Sequence, residues 1–260
     1  MTSSSVRRHR ATGLVVLLAA LVATGVGYAA VTDTAQAAAP TATQTQVDHG
    51  RQLFLEGCAT CHGLAAQGTS EGPGLIGVGA AAVDFQVSTG RMPLATPAMQ
   101  APRKTPIYNS DEVAALAAYV ATLGPGPAIP TDAETNTSDA DLATGGTLFR
   151  TNCAQCHNFA GHGGALSEGR YAPSLMGATP REIYEAMLTG PQNMPNFPNT
   201  TMGIQQKQDI IKYIQHLQTA SAPGGLALGS YGPVTEGVAA WTLGLGLLLL
   251  AAVWIGAKVR

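Results

Sequence analysis

Two short motifs in the sequence combine residue types that can attach one cofactor covalently and also bind its metal. Cys58-Ala59-Thr60-Cys61-His62 and Cys153-Ala154-Gln155-Cys156-His157 share the spacing Cys-x-x-Cys-His. Two thiols at this spacing can form thioethers to the two vinyl groups of one haem, and the adjacent histidine can then reach the iron. We therefore expect two covalently bound haem c groups. Their predicted attachment residues are Cys58, Cys61, Cys153 and Cys156, and their predicted proximal iron ligands are His62 and His157.

A disulfide, a zinc site or a redox-active dithiol would each account for less of the sequence than haem does. A disulfide would use the cysteines but would leave both histidines without a role. A shared zinc site would need the two pairs close together, although they lie far apart in the chain. A thioredoxin-like redox motif would need a βαβ context, which the hydrophobic pattern does not indicate. Haem attachment uses all four cysteines of the chain, so it is the interpretation that we adopt.

The sixth iron ligand has to come from another part of each half, and methionine is a common choice in cytochromes c. In the second half we predict Met194, which lies in Asn193-Met194-Pro195. In the first half Met92 lies in the similar motif Gly90-Arg91-Met92-Pro93, whereas Met99 matches the separation of Met194 from its histidine. Both candidates remain open on the residues alone, and we favour Met92.

Two prolines support this choice and suggest a partner for each histidine. Pro73 and Pro173 follow the two histidines, and the loop before Pro73 is the shorter one. A shorter haem loop brings the methionine closer in sequence, which favours Met92. We also expect the carbonyl groups of Pro73 and Pro173 to accept hydrogen bonds from Nδ1–H of the histidines, because such bonds fix the orientation of a ligating ring.

The motifs head two similar halves of the sequence. Gly50 to Phe54 precede the first motif as Gly145 to Phe149 precede the second, and each half closes on a segment of helical apolar periodicity. The sequence therefore predicts a mainly α fold with two tandem cytochrome c domains. The predicted boundaries are 46–123 for domain 1, 124–141 for a Gly/Pro-rich acidic linker and 142–220 for domain 2. Domains of this size gain stability from a covalently attached cofactor.

Two apolar segments near the ends of the chain predict an association with membrane lipid. Residues 1–39 have the pattern of a signal peptide or signal anchor, with possible cleavage sites at Ala35-Gln36-Ala37 and Ala37-Ala38-Ala39. Residues 237–257 are long and apolar enough for a transmembrane helix, which the linker 221–236 joins to domain 2. Basic residues at both ends of the chain predict that these ends are cytoplasmic, so both haem domains would lie on the extracytoplasmic side of the plasma membrane. The net charge of −2 gives no indication of nucleic-acid binding.

These features together resemble one family, the dihaem cytochrome c subunit (cytochrome cc) of the actinobacterial menaquinol–cytochrome c reductase, or cytochrome bc complex. The resemblance implies a subunit of a translocating reductase that itself carries electrons and has no substrate-turnover site or catalytic residue. It further implies that electrons pass from the Rieske iron–sulfur protein through both haems to cytochrome c oxidase in a supercomplex. The implied partners are the cytochrome b subunit, the Rieske subunit and cytochrome c oxidase.

Two alternatives share the same haem residues. An anchored dihaem subunit of another dehydrogenase or oxidase complex would differ only in the partners with which it purifies. A dihaem peroxidase would need one iron with a vacant or displaceable ligand, and a suitable methionine in each half argues against it.

Overall fold

The chain is mainly helical and divides into two units, residues 1–42 and 43–260. The computed structural model describes residues 3–33, 42–220, 228–230 and 233–258. The first unit contains helix α1, Ser3–Asp33. Its apolar part within the described residues is Thr12–Gly27, which is shorter than the roughly 20 residues that span a bilayer. The proposed cleavage sites at 35–39 lie outside the described residues.

Four helices build the first half of the second unit. They are α2 (Gln44–Gly57), α3 (Ala59–His62), α4 (Ala80–Ser88) and α5 (Ser110–Ala121). Asn109 and Glu112 form a capping box that starts α5, which satisfies backbone N–H groups at its first turn. Helix α2 crosses α5 closely, and the rings of Phe54 and Tyr119 meet there with their centroids 5.4 Å apart.

The second half repeats this arrangement. Its helices are α7 (Leu142–Asn152), α8 (Ala154–His157), α9 (Pro180–Thr189) and α10 (Ile204–Thr219). Helix α7 crosses α10 as α2 crosses α5, and the ring centroids of Phe149 and Tyr213 lie 5.3 Å apart at the crossing. The internal repeat in the sequence thus corresponds to a repeat in the packing of the helices.

The predicted linker 124–141 contains a short helix and contacts both halves. Helix α6, Asp132–Thr135, begins at a capping box formed by Thr131 and Glu134. The side chain of Gln208 donates a hydrogen bond of 2.8 Å to the carbonyl oxygen of Ala133. Ile129 packs against the core of the first half. These contacts hold the segment along both halves, although its sequence shows no apolar periodicity.

A small hairpin fills the longer loop of the second half. Strands β1 (Gly164–Ala165) and β2 (Tyr171–Ala172) pair antiparallel, with Gly164 opposite Ala172. The sequence did not predict this hairpin, because a strand of two residues carries no detectable alternation of apolar side chains.

The chain closes on one long apolar helix. It runs through α11 (Pro233–Ala239), a π-helical turn (Ala240–Leu245) and α12 (Gly246–Lys258). Val234–Lys258 is the one helix within the described residues that is long and apolar enough to cross a membrane. Its large apolar side chains are exposed, and an environment of lipid rather than water accommodates such a surface.

Candidate functional site

The first Cys-x-x-Cys-His motif lies at a sharp bend between two helices. Cys58 ends α2, where its N–H donates a hydrogen bond of 2.8 Å to the carbonyl oxygen of Phe54, and it also precedes the first residue of α3. The N–H of His62 donates back to the carbonyl oxygen of Cys58 at 3.0 Å. This single turn brings Cys58, Cys61 and His62 together.

The histidine of this motif is oriented by the proline predicted for that role. Nδ1 of His62 lies 2.7 Å from the carbonyl oxygen of Pro73. A ring that donates its Nδ1–H to this oxygen keeps Nε2 as the free, unprotonated nitrogen. Nε2 is therefore the atom of His62 that is available to a metal.

The second motif has the same geometry. Cys153 ends α7, with an N–H hydrogen bond of 2.8 Å to the carbonyl oxygen of Phe149, and His157 N–H donates to the carbonyl oxygen of Cys153 at 2.9 Å. Nδ1 of His157 lies 2.9 Å from the carbonyl oxygen of Pro173. Burial lowers the pKa of His157, and the hydrogen bond to Pro173 opposes that effect. A lowered pKa favours the neutral ring, which is the form that binds metals.

The first cysteine of each motif is partly buried. Burial, and next the neighbouring thiol of the same motif, raises the pKa of Cys58 and of Cys153 to about 11. Cys58 and Cys153 each pack against the apolar core of their own half.

The structure separates the two methionine candidates of the first half. Met92 is partly buried and packs against the same apolar core as Cys58 and Leu75, and its N–H donates to the carbonyl oxygen of Gln86 at 2.9 Å. Met99 is 66% exposed and lies further along the stretch 93–109. The structure thus brings Met92 to the apolar core beside the motif and leaves Met99 at the surface.

Met194 occupies the matching place in the second half. It packs against the core that Cys153 and Leu175 also contact. Met187 and Met202 are themselves buried members of that core, so they serve packing. Each core is therefore contacted by one predicted methionine ligand and by the first cysteine of the corresponding motif.

Several features fit a bulky anionic cofactor at these two places. A Cβ at Gly72 would lie 2.9 Å from the carbonyl oxygen of Cys61, and one at Gly164 would lie 2.9 Å from that of Cys156, so the backbone approaches each motif closely. Nη1 of Arg91 and Nε of Arg170 are buried and have no hydrogen-bond partner. Together with the thiols, histidines and methionines, these donors suit haem.

Charged residues on equivalent helices join the two halves. Arg181 on α9 forms a salt bridge of 2.9 Å with Asp84 on α4, and its Nε donates a hydrogen bond of 3.3 Å to Glu185. Glu185 is fully buried. Its burial, and next its hydrogen bond with Asp84, raises the pKa of Glu185 to about 9. This carboxyl group therefore holds its proton at neutral pH.

The stretch 93–109 makes a second set of contacts between the halves. The side chain of Gln100 bonds both the N–H and the carbonyl of Tyr171, at 3.1 and 2.6 Å. The side chain of Gln192 bonds the N–H and the carbonyl of Ala101 in the same way, at 3.3 and 3.2 Å. Arg103 forms a two-pronged salt bridge to Glu182, at 2.9 and 2.7 Å.

These joining residues were not found from the sequence. The one signal that could have indicated them is a difference in length, because the stretch 93–109 after Met92 is longer than the stretch 195–203 after Met194.

Comparison with known proteins agrees with this geometry. Residues 47–124 match the family described as cytochrome c, and residues 140–214 match the family described as cytochrome C oxidase, cbb3-type, subunit III. The chain is 46% identical over 258 residues to the cytochrome bc1 complex cytochrome c subunit of Mycobacterium tuberculosis. The aligned region covers 96% of this chain and 92% of the relative. The chain is also 45% identical over 267 residues to the protein of the same name from Corynebacterium diphtheriae, with 96% and 95% covered. The chain belongs to the family of cytochrome bc1 complex cytochrome c subunits.

This membership confirms the predicted family and the predicted fold. The fold consists of two tandem cytochrome c domains, a C-terminal helix able to span a membrane and a shorter apolar N-terminal helix. The cytochrome c domains indicate covalent binding of haem c. A cytochrome c subunit of this family has a role in respiratory electron transfer.

Proposed function

We propose that the chain is the dihaem electron carrier of a quinol–cytochrome c reductase. In this proposal it relays electrons from the Rieske iron–sulfur protein through two c-type haems to cytochrome c oxidase, and the quinol is menaquinol. One observation carries the proposal. Each of the two domains contains a Cys-x-x-Cys-His motif, a proline that bonds its histidine and a methionine at the core, and direct contacts join the two domains. The name of the relatives, which places those proteins in a cytochrome bc1 complex, supports the choice of complex.

Each domain contributes the same residues to its haem. Cys58 and Cys61, or Cys153 and Cys156, hold the porphyrin by thioethers. His62 or His157 presents Nε2 to the iron, and the carbonyl of the following proline fixes that ring. Met92 or Met194 would supply the second protein ligand to the iron. A bound haem c supplies reversible one-electron exchange between ferric and ferrous iron.

Two protein ligands for each iron make the chain a carrier. A haem iron held by one histidine and one methionine of this chain would leave no ligand position for peroxide or oxygen. The substrate-turnover sites of the complex then belong to other subunits, the cytochrome b subunit for the quinol and the oxidase for oxygen. This chain would serve as the connection between them.

The contacts between the domains favour transfer in series. Gln100, Gln192 and the pair Arg103–Glu182 tie the stretch that follows Met92 to the second domain. An electron that enters one domain can then pass to the other without diffusion of a separate carrier. The basic ends of the chain support an extracytoplasmic position for both domains and a cytoplasmic C-terminus.

The test uses the complex purified in mild detergent. We expect two haem c groups per chain, co-purification of the cytochrome b and Rieske subunits and the oxidase, and quinol-driven oxygen uptake. A chain with serine at Cys153 and Cys156 should keep quinol-driven reduction of the first haem and lose oxygen uptake. Undiminished oxygen uptake in this variant, or in a strain without the chain, would refute the relay. A different set of co-purifying subunits would instead assign the chain to another complex.

A further inference from the structure

Arg91 is a buried cation that no anion of the described residues binds directly. The residue is only 8% exposed, and its guanidinium lies over the ring of Phe85, 4.8 Å from the centroid. No salt bridge in the described residues includes Arg91. Its Nη1 is buried and makes no hydrogen bond.

The acidic side chain that acts on Arg91 already binds another cation. Glu182 acts on the charge of Arg91 through space, but both of its oxygens bind Arg103, at 2.9 and 2.7 Å. Arg103 is itself a second cation that acts on Arg91. Two guanidinium groups therefore share one carboxylate at this place, and one positive charge is left over.

A guanidinium group does not lose its proton in proteins, and a buried charge is costly unless it is paired and hydrogen-bonded. The missing anion must therefore come from a group other than this chain's described side chains. The position of Arg91 restricts what that group can be, because Arg91 directly precedes Met92, the proposed iron ligand of the first domain. Haem carries two propionate carboxylates, and arginine is the side chain best suited to bind a carboxylate through two parallel hydrogen bonds.

We propose that Arg91 binds a propionate of the first haem and compensates its negative charge. The proposal rests on the proposed function, since it requires haem at Cys58 and Cys61. A compensated propionate stabilises the ferric iron less, because the ferric state carries the additional positive charge. Arg91 should therefore raise the reduction potential of the first haem.

No arginine directly precedes the predicted methionine ligand of the second domain. Asn193 stands before Met194 where Arg91 stands before Met92. The nearby Arg170 donates from Nη1 to Oδ1 of Asn193 at 3.0 Å, and its charge is already paired with Glu168 at 3.2 Å. The effect of Arg91 should consequently be confined to the first haem, which gives the test an internal reference.

The test measures both haems in the full-length chain within its complex. Arg91→Gln removes the cation, and Arg91→Lys keeps the charge but loses the two-pronged hydrogen bond. Arg150→Gln is the matched control, because Arg150 also lies over an aromatic ring, that of Tyr213, at 6.0 Å. Spectroelectrochemical titration gives the two midpoint potentials, and resonance Raman spectra report the hydrogen bonding of the propionates.

We expect Arg91→Gln to lower the equilibrium constant for reduction of the first haem about tenfold, which is about 59 mV for a one-electron couple. The second haem should not change. Arg91→Lys should restore most of the potential while still shifting the propionate band, and Arg150→Gln should change neither reading. If Arg91→Gln fails to retain the first haem, the propionate band of Arg91→Lys decides the question.

Two outcomes are distinguishable as failures. The role of Arg91 is refuted, and the proposed function is not, if the first haem is present in Arg91→Gln and its potential is unchanged. The same conclusion follows if the propionate band is unchanged in both variants. A wild-type chain without haem at Cys58 and Cys61 refutes the proposed function, and the role of Arg91 with it.

Discussion

In each domain two helices approach closely at a glycine, and replacing this glycine should destabilise the domain. A Cβ at Gly145 on α7 would lie 1.9 Å from the carbonyl oxygen of Asp209 on α10 and 2.5 Å from its carbonyl carbon. Side-chain Cβ atoms do not approach other atoms within 3.0 Å. In Gly145→Ala the two helices would have to separate by roughly 1 Å, which a close-packed core resists.

The expected cost follows from two opposing effects. Overpacking of a core costs about 1–3 kcal/mol, and the upper end applies here because the atoms that the new methyl group meets are backbone atoms. Replacing glycine by alanine in a helix interior stabilises the helix by about 1 kcal/mol, which offsets part of this cost. The net loss of about 2 kcal/mol corresponds to a fall of about 8–16 °C in the unfolding temperature of a domain with 60–100 residues.

The assay is thermal unfolding of the haem-loaded, full-length chain in detergent, followed by circular dichroism and by haem absorbance. Gly177→Ala is the matched control in the same domain, because a Cβ at Gly177 would meet nothing within 4 Å. If Gly145→Ala and Gly177→Ala unfold at the same temperature, the close approach of α7 and α10 is not what holds the second domain together. Gly50→Ala should have the corresponding effect on the first domain, because a Cβ there would lie 1.9 Å from the carbonyl oxygen of Ala115.

Three further predictions concern the first haem and the contacts between the domains. Met92→Leu should abolish the methionine–iron absorption band of the first haem and lower the reduction potential of that haem alone. Met99→Leu should leave the spectra and potentials of both haems unaltered in optical titrations. If Met99→Leu alters the first haem and Met92→Leu does not, Met99 is the ligand. The pKa of Glu185 is raised from 4.5 to about 9, so unfolding between these pH values releases a proton and the stability of the fold should decrease as the pH rises through that window. Thermal unfolding measured across a pH series should show this decrease in the wild-type chain and not in Glu185→Gln. The same pH dependence in both chains would contradict a buried, protonated carboxyl group at Glu185. Alanine at Arg103 and Glu182, singly and together, should give a coupling energy of about 0.5–1 kcal/mol in a double-mutant cycle, because the arginine is half exposed; a coupling near zero would show that this pair does not hold the domains together.

The parts of the fold that the sequence predicted are those encoded locally. A Cys-x-x-Cys-His motif sets its own geometry within one helical turn, so the grouping of Cys58, Cys61 and His62 followed from their spacing. The closing helices carry an apolar face at helical intervals, which identified them before any contact was known. The expected approach of Pro73 to His62 also needed only a short loop between the two residues.

The joining of the two domains could not be predicted in this way. Each contact pairs single polar residues from distant parts of the chain, such as Gln100 with the backbone of Tyr171 and Arg181 with Asp84. No periodicity marks such residues, since a glutamine that bonds a distant backbone looks like any surface glutamine in the sequence. The same reason applies to the helix α6 in the linker, where a capping box is visible but its packing partner is not.

The exposed methionine of the first domain shows why spacing alone is a poor guide to an iron ligand. Met99 matches the separation of Met194 from its histidine, but the stretch 93–109 that contains it runs across to the second domain. Gln100 and Ala101, the residues that follow Met99, both bond the second domain. The additional length of this stretch is therefore used for contact between the domains, and Met92 rather than Met99 packs against the core beside the first motif. Because this stretch begins directly after Met92, a change in how the domains pack would act on the ligand loop of the first haem. We therefore expect the stretch 93–109 to couple the packing of the domains to the properties of the predicted first haem.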